Sequence, residues 1–207
     1  MDRRTALKNI TLGLGYVATT STMLGVLNSC KDEGLGWQPL FFTNDEQVMV
    51  TYLVDIILPK DELPGALDVN VPQFIDKMYK GVETKESQEL FRSGGEIFGK
   101  LLEEKAGKKR SNANKADLEA VFKELFSVSD VEQEKIKALT NKDLSEVADT
   151  EKEKYFLYSF LMKVRYYTLF GYYTSEKVGE EILSYDPVPG VFQGCIPLSD
   201  VGNAWSL

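Results

Sequence analysis

Histidine is absent from the 207 residues and cysteine occurs twice, at Cys30 and Cys195. An imidazole base, a His-ligated zinc or haem, a CxxCH haem attachment and a cysteine-held iron–sulfur cluster are therefore excluded on donor count alone. What remains for chemistry is a supply of 32 carboxylates. General acid–base work needs two of them held at a defined separation, and no spacing singles out such a pair. Asp68, Asp76 and Asp186 stand beside prolines or at helix starts, where a carboxylate most often caps a helix or closes a turn. Cys195 reads by default as a buried inert thiol, with redox activity or an intersubunit disulfide as the competing readings. No catalytic, cofactor-binding or metal-binding residue is assigned. The 24 basic residues are outnumbered. Three of them (Arg3, Arg4, Lys8) lie in residues 1–29 with a single acid, Asp2, which leaves 21 bases against 31 acids from Cys30 onward. Such a body repels phosphate backbones, and its one basic run, Lys108-Lys109-Arg110, is too short to reverse that, so nucleic acid is not an expected partner.

The stretch before Cys30 reads as an export segment. Asp-Arg-Arg-Thr-Ala-Leu-Lys at positions 2–8 is followed by residues 10–29, mildly apolar and uncharged but broken by Thr19, Thr20, Ser21 and Thr22 and by three glycines. A spanning helix needs about 20 predominantly apolar residues, so a cleaved signal is the better reading. Arg3 and Arg4 with Leu7 and Lys8 resemble a twin-arginine signal, although Ala6 stands where phenylalanine is usual; a general secretory signal with an adventitious Arg-Arg is the alternative. Leu27-Asn28-Ser29-Cys30 resembles a bacterial lipobox, with Asn28 atypical and a coincidental cysteine as the competing reading. Acylation of Cys30 would tether residues 30–207 to a membrane, since buried acyl methylenes contribute about 0.8 kcal/mol each. The expected location is the periplasm, membrane-anchored after export by the twin-arginine (Tat) pathway. Gly13-Leu14-Gly15-Tyr16-Val17-Ala18 matches a dinucleotide fingerprint in letters only, because it lies in the leader with no strand before it.

The body is expected to be all-α: one irregular helical bundle with an extended, Pro/Gly-rich C-terminal tail. Thr43 and Glu46 form a capping box ahead of Val48, Tyr52, Leu53, Ile56 and Ile57, and Pro59 ends that helix. Pro72 opens a short helix carrying Phe74, Ile75, Met78 and Tyr79. Residues 85–105 carry a stripe of Leu90, Phe91, Gly94, Phe98, Leu101 and Leu102. Gly94-Gly95 within it marks either a weak helix or a close backbone contact. A polar, mobile loop is expected at 108–114, then a helix with Leu118, Val121, Phe122, Leu125 and Phe126, and one capped by Ser129 with Glu132. Thr150 with Glu153 is read as opening the longest helix. Its aromatic residues from Tyr155 to Phe170 occupy more than one face, which suits a central helix or one with a face for a partner. A last short helix spans 175–183. Beyond it, Pro187 and Pro189 fix φ and remove donors, so the tail lies along the surface of its own domain or of a partner.

These pieces resemble the gluconate 2-dehydrogenase subunit 3 family. The resemblance rests on Ile56-Ile57-Leu58-Pro59, on Pro64-Gly65-Ala66-Leu67-Asp68 leading into Val71-Pro72-Gln73-Phe74-Ile75-Asp76, on Phe170-Gly171-Tyr172-Tyr173-Thr174-Ser175, and on Tyr185-Asp186-Pro187-Val188-Pro189-Gly190 with Gln193-Gly194-Cys195. It implies a non-catalytic small subunit that assists folding and Tat export of a flavoprotein of the glucose-methanol-choline oxidoreductase type, with FAD in that partner and none in this chain. The flavoprotein oxidises a sugar or sugar acid, and a c-type cytochrome subunit often accepts the electrons. Residues expected to meet the partner are Tyr172, Tyr173, Tyr185, Asp186, Pro187 and Phe192, because tyrosine-rich surfaces dominate association hot spots. The competing class is a freestanding envelope lipoprotein that binds a small molecule or scaffolds an assembly; a weaker third is an enzyme using carboxylates alone.

Overall fold

A computed structural model describes residues 36–186, 188, 190, 194–200 and 202–206. The chain divides into two units, Met1–Gln38 and Pro39–Leu207. The export residues Arg3, Arg4, Leu7 and Lys8, the lipobox with Cys30, and the 29/30 boundary lie outside the described residues, as do Pro187 and Phe192.

Seven α-helices make up the described fold: α1 (Asn44–Ile57), α2 (Val71–Gly81), α3 (Lys85–Ala106), α4 (Lys115–Phe126), α5 (Asp130–Thr140), α6 (Lys152–Tyr173) and α7 (Glu176–Glu181). The all-α expectation holds. Helix starts are set locally by short polar side chains. Thr43 accepts from the Glu46 amide at 3.3 Å while Glu46 accepts from the Thr43 amide at 2.7 Å, closing the box expected at α1. Asn114 closes the same kind of box with Asp117 at α4, and the Thr84, Ser129 and Ser175 side chains each accept one amide at the starts of α3, α5 and α7. The expected cap at Thr150 is not formed. A 3-10 turn, Asp149–Glu151, leads into α6, and its N-cap, Glu151, makes no side-chain cap bond.

α6 is the axis of the bundle, packed on α1, α2, α3, α5 and α7, and most extensively on α3. Its buried residues run from Tyr155 through Phe160, Leu161 and Val164 to Tyr172 and occupy more than one face, as a central helix requires. Phe91 on α3 joins Tyr79 (ring centroids 4.2 Å apart) to Phe160 (4.8 Å), and all three rings are fully buried. Each of the two phenylalanines contributes about 1.5–3 kcal/mol through burial.

Gly94 settles the question its pair raised. A Cβ there would lie 2.2 Å from the Phe156 carbonyl oxygen and 2.5 Å from Cβ of Phe160, so α3 and α6 touch backbone to side-chain root at this point. Gly95, by contrast, would place a Cβ at ordinary contact distance, 3.5 Å from the Phe160 ring.

The basic loop at 108–114 is tied down where mobility was expected. Arg110 donates to both oxygens of Glu96 at 2.7 and 3.0 Å and, through Nε, to Glu103 at 3.1 Å. Its guanidinium covers Gly99, where a Cβ would fall 2.6 Å from a guanidinium nitrogen. The extended course proposed for the tail is not confirmed. Its described residues include a 3-10 turn, Leu198–Asp200, and one isolated parallel bridge, Ser184 to Trp205, held by Ser184 N–H to Ala204 O and Ser206 N–H to Ser184 O, both 2.9 Å. The chain thus returns to the end of α7 at non-proline positions, where donors are still present. No helix among the described residues is long and apolar enough to cross a membrane.

Candidate functional site

Asp76 lies in the longest of the matched motifs and is 1% exposed. One carboxylate oxygen accepts from the Leu40 amide at 2.7 Å, and the other accepts from the Phe41 and Phe42 amides at 2.9 Å each. Three backbone donors from a segment more than thirty residues upstream satisfy the buried charge. Asp76 is therefore neither a cap nor a local turn closer, the two roles its sequence context suggested. Arg92 completes this latch from α3: it binds Glu46 at 2.7 Å, donates to the Phe41 carbonyl at 2.7 Å and sits 4.2 Å over the Phe41 ring. Asp68 and Asp186 do act locally. Asp68 accepts from the Gly65 amide at 2.9 Å and from Lys60, which hold its carboxyl below the usual range. Asp186 accepts from the Val188 amide at 3.2 Å.

The tyrosines proposed as a partner surface separate in the structure. Tyr172 is buried and donates its hydroxyl to the Pro64 carbonyl at 2.8 Å, tying α6 to the loop before α2, so it belongs to the core. Tyr173 beside it is 54% exposed, and Tyr185 and Asp186 are exposed too. Tyr166 and Phe170 stack in parallel at 5.9 Å and extend the exposed aromatic row along α6 toward its N-terminus. Cys195 is an exposed free thiol, which overturns its reading as buried.

Two openings were not legible in sequence. A cleft of about 390 Å³ lies between α1, α3 and the 110–113 segment, bounded by Arg92 and Arg110, whose charges Glu46 and Glu96 already bind. A longer groove of about 710 Å³ lies between α3, α5 and α6. Leu90, Leu144, Tyr155, Phe156, Met162 and Tyr166 supply its apolar wall. A satellite core of Leu139, Val147 and Tyr155, with Leu90 and Phe156 against it, supports that wall from beneath. The signal available for it was the run of aromatic and apolar residues on a second face of α6, Phe156, Met162 and Tyr166.

Beside the groove, Lys163 binds Glu83 at 3.1 Å, and the Tyr167 hydroxyl donates to the same carboxylate. Burial pushes the Glu83 carboxyl up, but hydrogen bonds from Ser87, Tyr167 and Lys163 outweigh it and bring it below the usual carboxylate range. Burial, followed by the hydrogen bond to Glu83, pushes the Tyr167 phenol up. Among the described residues no group of three or more His, Cys, Asp or Glu side chains is placed to hold a metal ion.

The class of protein so defined is an all-α domain with an apolar groove beside an exposed aromatic row. The chain belongs to the family described as gluconate 2-dehydrogenase subunit 3, which it matches over residues 44–190, more than two thirds of its length. No curated protein and no solved structure matches it.

Proposed function

We propose that this chain is the non-catalytic small subunit of a periplasmic, FAD-dependent sugar or sugar-acid dehydrogenase complex, and that it assists folding and Tat export of the flavoprotein subunit. The family match over residues 44–190 carries this reading. Its location in the envelope rests on Arg3, Arg4, Leu7 and Lys8 and on Cys30 as the acylated anchor. FAD belongs to the partner. A dinucleotide pyrophosphate is normally cradled where a strand runs through a glycine-rich turn into a helix, and the described residues contain no strand beyond one isolated bridge. The described residues do not fit that group. Twin-arginine export carries folded, cofactor-loaded proteins, so a partner lacking a functional signal of its own would travel on this one. A c-type cytochrome subunit would take up the electrons. Tyr173, Tyr185 and Asp186 are exposed and available to the partner, with Pro187 and Phe192 proposed alongside them.

The test is export in the native host. Changing Arg3 and Arg4 together to Lys is expected to leave the flavoprotein in the cytoplasm. Undiminished periplasmic flavoprotein in that strain would refute the escort role and leave a freestanding lipoprotein as the better account.

A further inference from the structure

The groove between α3, α5 and α6 has one acidic rim. Glu86 and Glu89 sit one helical turn apart on α3, both are exposed, and both line the opening. Glu86 bonds only to its own amide and to Thr84, and Glu89 has no ion-pair partner among the described residues. Side chains three apart on a helix stand about 5–6 Å from each other at Cβ, so a single guanidinium or ammonium can meet both carboxylates. The nearest cation in the lining, Lys163, is already engaged by Glu83. Across the groove, Thr140 and Asn141 place the C-terminal end of α5, with its partial negative charge, on the same opening. Beneath the rims the wall is apolar and adaptable, with Met162 among its members. Ser159 also lines it, 8% exposed and with no hydrogen-bond partner for its Oγ, so a backbone N–H or C=O of an entering segment would satisfy it.

We propose that this groove receives a segment of the partner flavoprotein in which two or three apolar side chains are followed by a lysine or arginine that pairs with Glu86 and Glu89. The inference rests on the escort reading above and adds the docking site and its chemistry. Shape alone would accept many apolar segments. The two unpaired carboxylates and the dipole of α5 select a cationic one, and the overall charge of −8 steers the chain toward a basic surface.

The experiment uses the full chain co-expressed with the flavoprotein that co-purifies with it, comparing wild type with Glu86→Lys combined with Glu89→Lys. Both residues are exposed and outside the core, but Glu86 lies in the first turn of α3, where a cation opposes the helix dipole, so the melting temperature should fall by a few degrees and affinity is compared well below it. Affinity for the flavoprotein should fall about tenfold or more at low salt, and by less at high salt, where the attraction lost is already screened. Tyr166→Ala, at a 55% exposed position on the apolar wall, should weaken binding without salt dependence. Reversing Glu104 and Glu134, which do not line the groove, should leave affinity unchanged. Hydrogen exchange on the wild-type complex should show protection at residues 86–93, 140–144 and 155–166. Affinity within twofold of wild type for the Glu86/Glu89 reversal would overturn the inference while the escort reading stands. Protection confined to residues 185–206, or the same protection produced by a second copy of this chain, would overturn it equally. Failure of wild type to recover any flavoprotein would remove both.

Discussion

Alanine at position 94 would bring a methyl carbon 2.2 Å from the Phe156 carbonyl oxygen and 2.5 Å from Cβ of Phe160. Relaxed C···O contacts lie near 3.3–3.6 Å, so about 1 Å of separation is needed at the closest point of the most extensive helix pair. Neither opposing atom can rotate away, because one is backbone and the other is the root of a buried ring. Overpacking of this kind costs typically 1–3 kcal/mol and sometimes more. With the obstacle rigid, the upper end applies, about 3 kcal/mol. Replacing a helical glycine by alanine returns about 1 kcal/mol through propensity, which leaves Gly94→Ala destabilising by about 2 kcal/mol. Gly95 is the internal control. Its Cβ would rest 3.5 Å from the Phe160 ring and 3.6 Å from the Met49 methyl, which is ordinary contact, so Gly95→Ala should stabilise by about 0.5–1 kcal/mol. Urea unfolding at neutral pH, followed by far-ultraviolet circular dichroism with a common m-value, separates the two. In thermal melts a domain of this size shifts about 2–4 °C per kcal/mol, so the variants should move in opposite directions. Equal and small effects at both positions would refute the close approach of α3 to α6.

Asp76→Asn removes the charge and one acceptor from three amides, at about 1.5–3 kcal/mol. It should raise exchange at the Leu40, Phe41 and Phe42 amides before the rest of the fold opens; unchanged protection there would contradict the latch. Tyr172→Phe should cost about 1 kcal/mol through the lost bond to Pro64, measured by urea midpoint, whereas Tyr173→Phe should cost nothing measurable. Glu83 has a folded pKa below its ordinary value. Its contribution is therefore present above the usual carboxylate range of about 4.3 and is lost as pH falls through the lower folded value. Glu83→Gln should flatten the acid limb of stability against pH, and an unaltered limb would show that its bonds to Ser87, Tyr167 and Lys163 are not formed in solution.

How far sequence reaches in this protein depends on how local each determinant is. The Thr43–Glu46 box spans three residues and involves no other element, so the start of α1 is legible to the residue. The stripe on α3 and the aromatic residues on α6 are likewise written in helical period, and they place both helices in the core. Gly94 is ambiguous in sequence because its meaning depends on which turn of α6 lies opposite. Asp76 is misread because its partners are amides in a segment distant in the chain, and nothing around it in α2 encodes them. Tyr172 and Tyr173 are identical in type and adjacent, yet one faces Pro64 and the other faces solvent, a distinction set by the rotation of α6 in the bundle. The groove is the least legible feature, since α3, α5 and α6 each contribute a few residues and no single stretch carries its pattern. Thr150 matches a cap motif, but the 3-10 turn Asp149–Glu151 takes its place at the start of α6.

The most direct measurement of the escort role is gentle affinity recovery of the full chain from its native envelope, with the subunit ratio and the flavin absorbance of the product recorded together. The account predicts a yellow complex with a glucose-methanol-choline type flavoprotein at near one-to-one stoichiometry. A colourless chain recovered alone would contradict it.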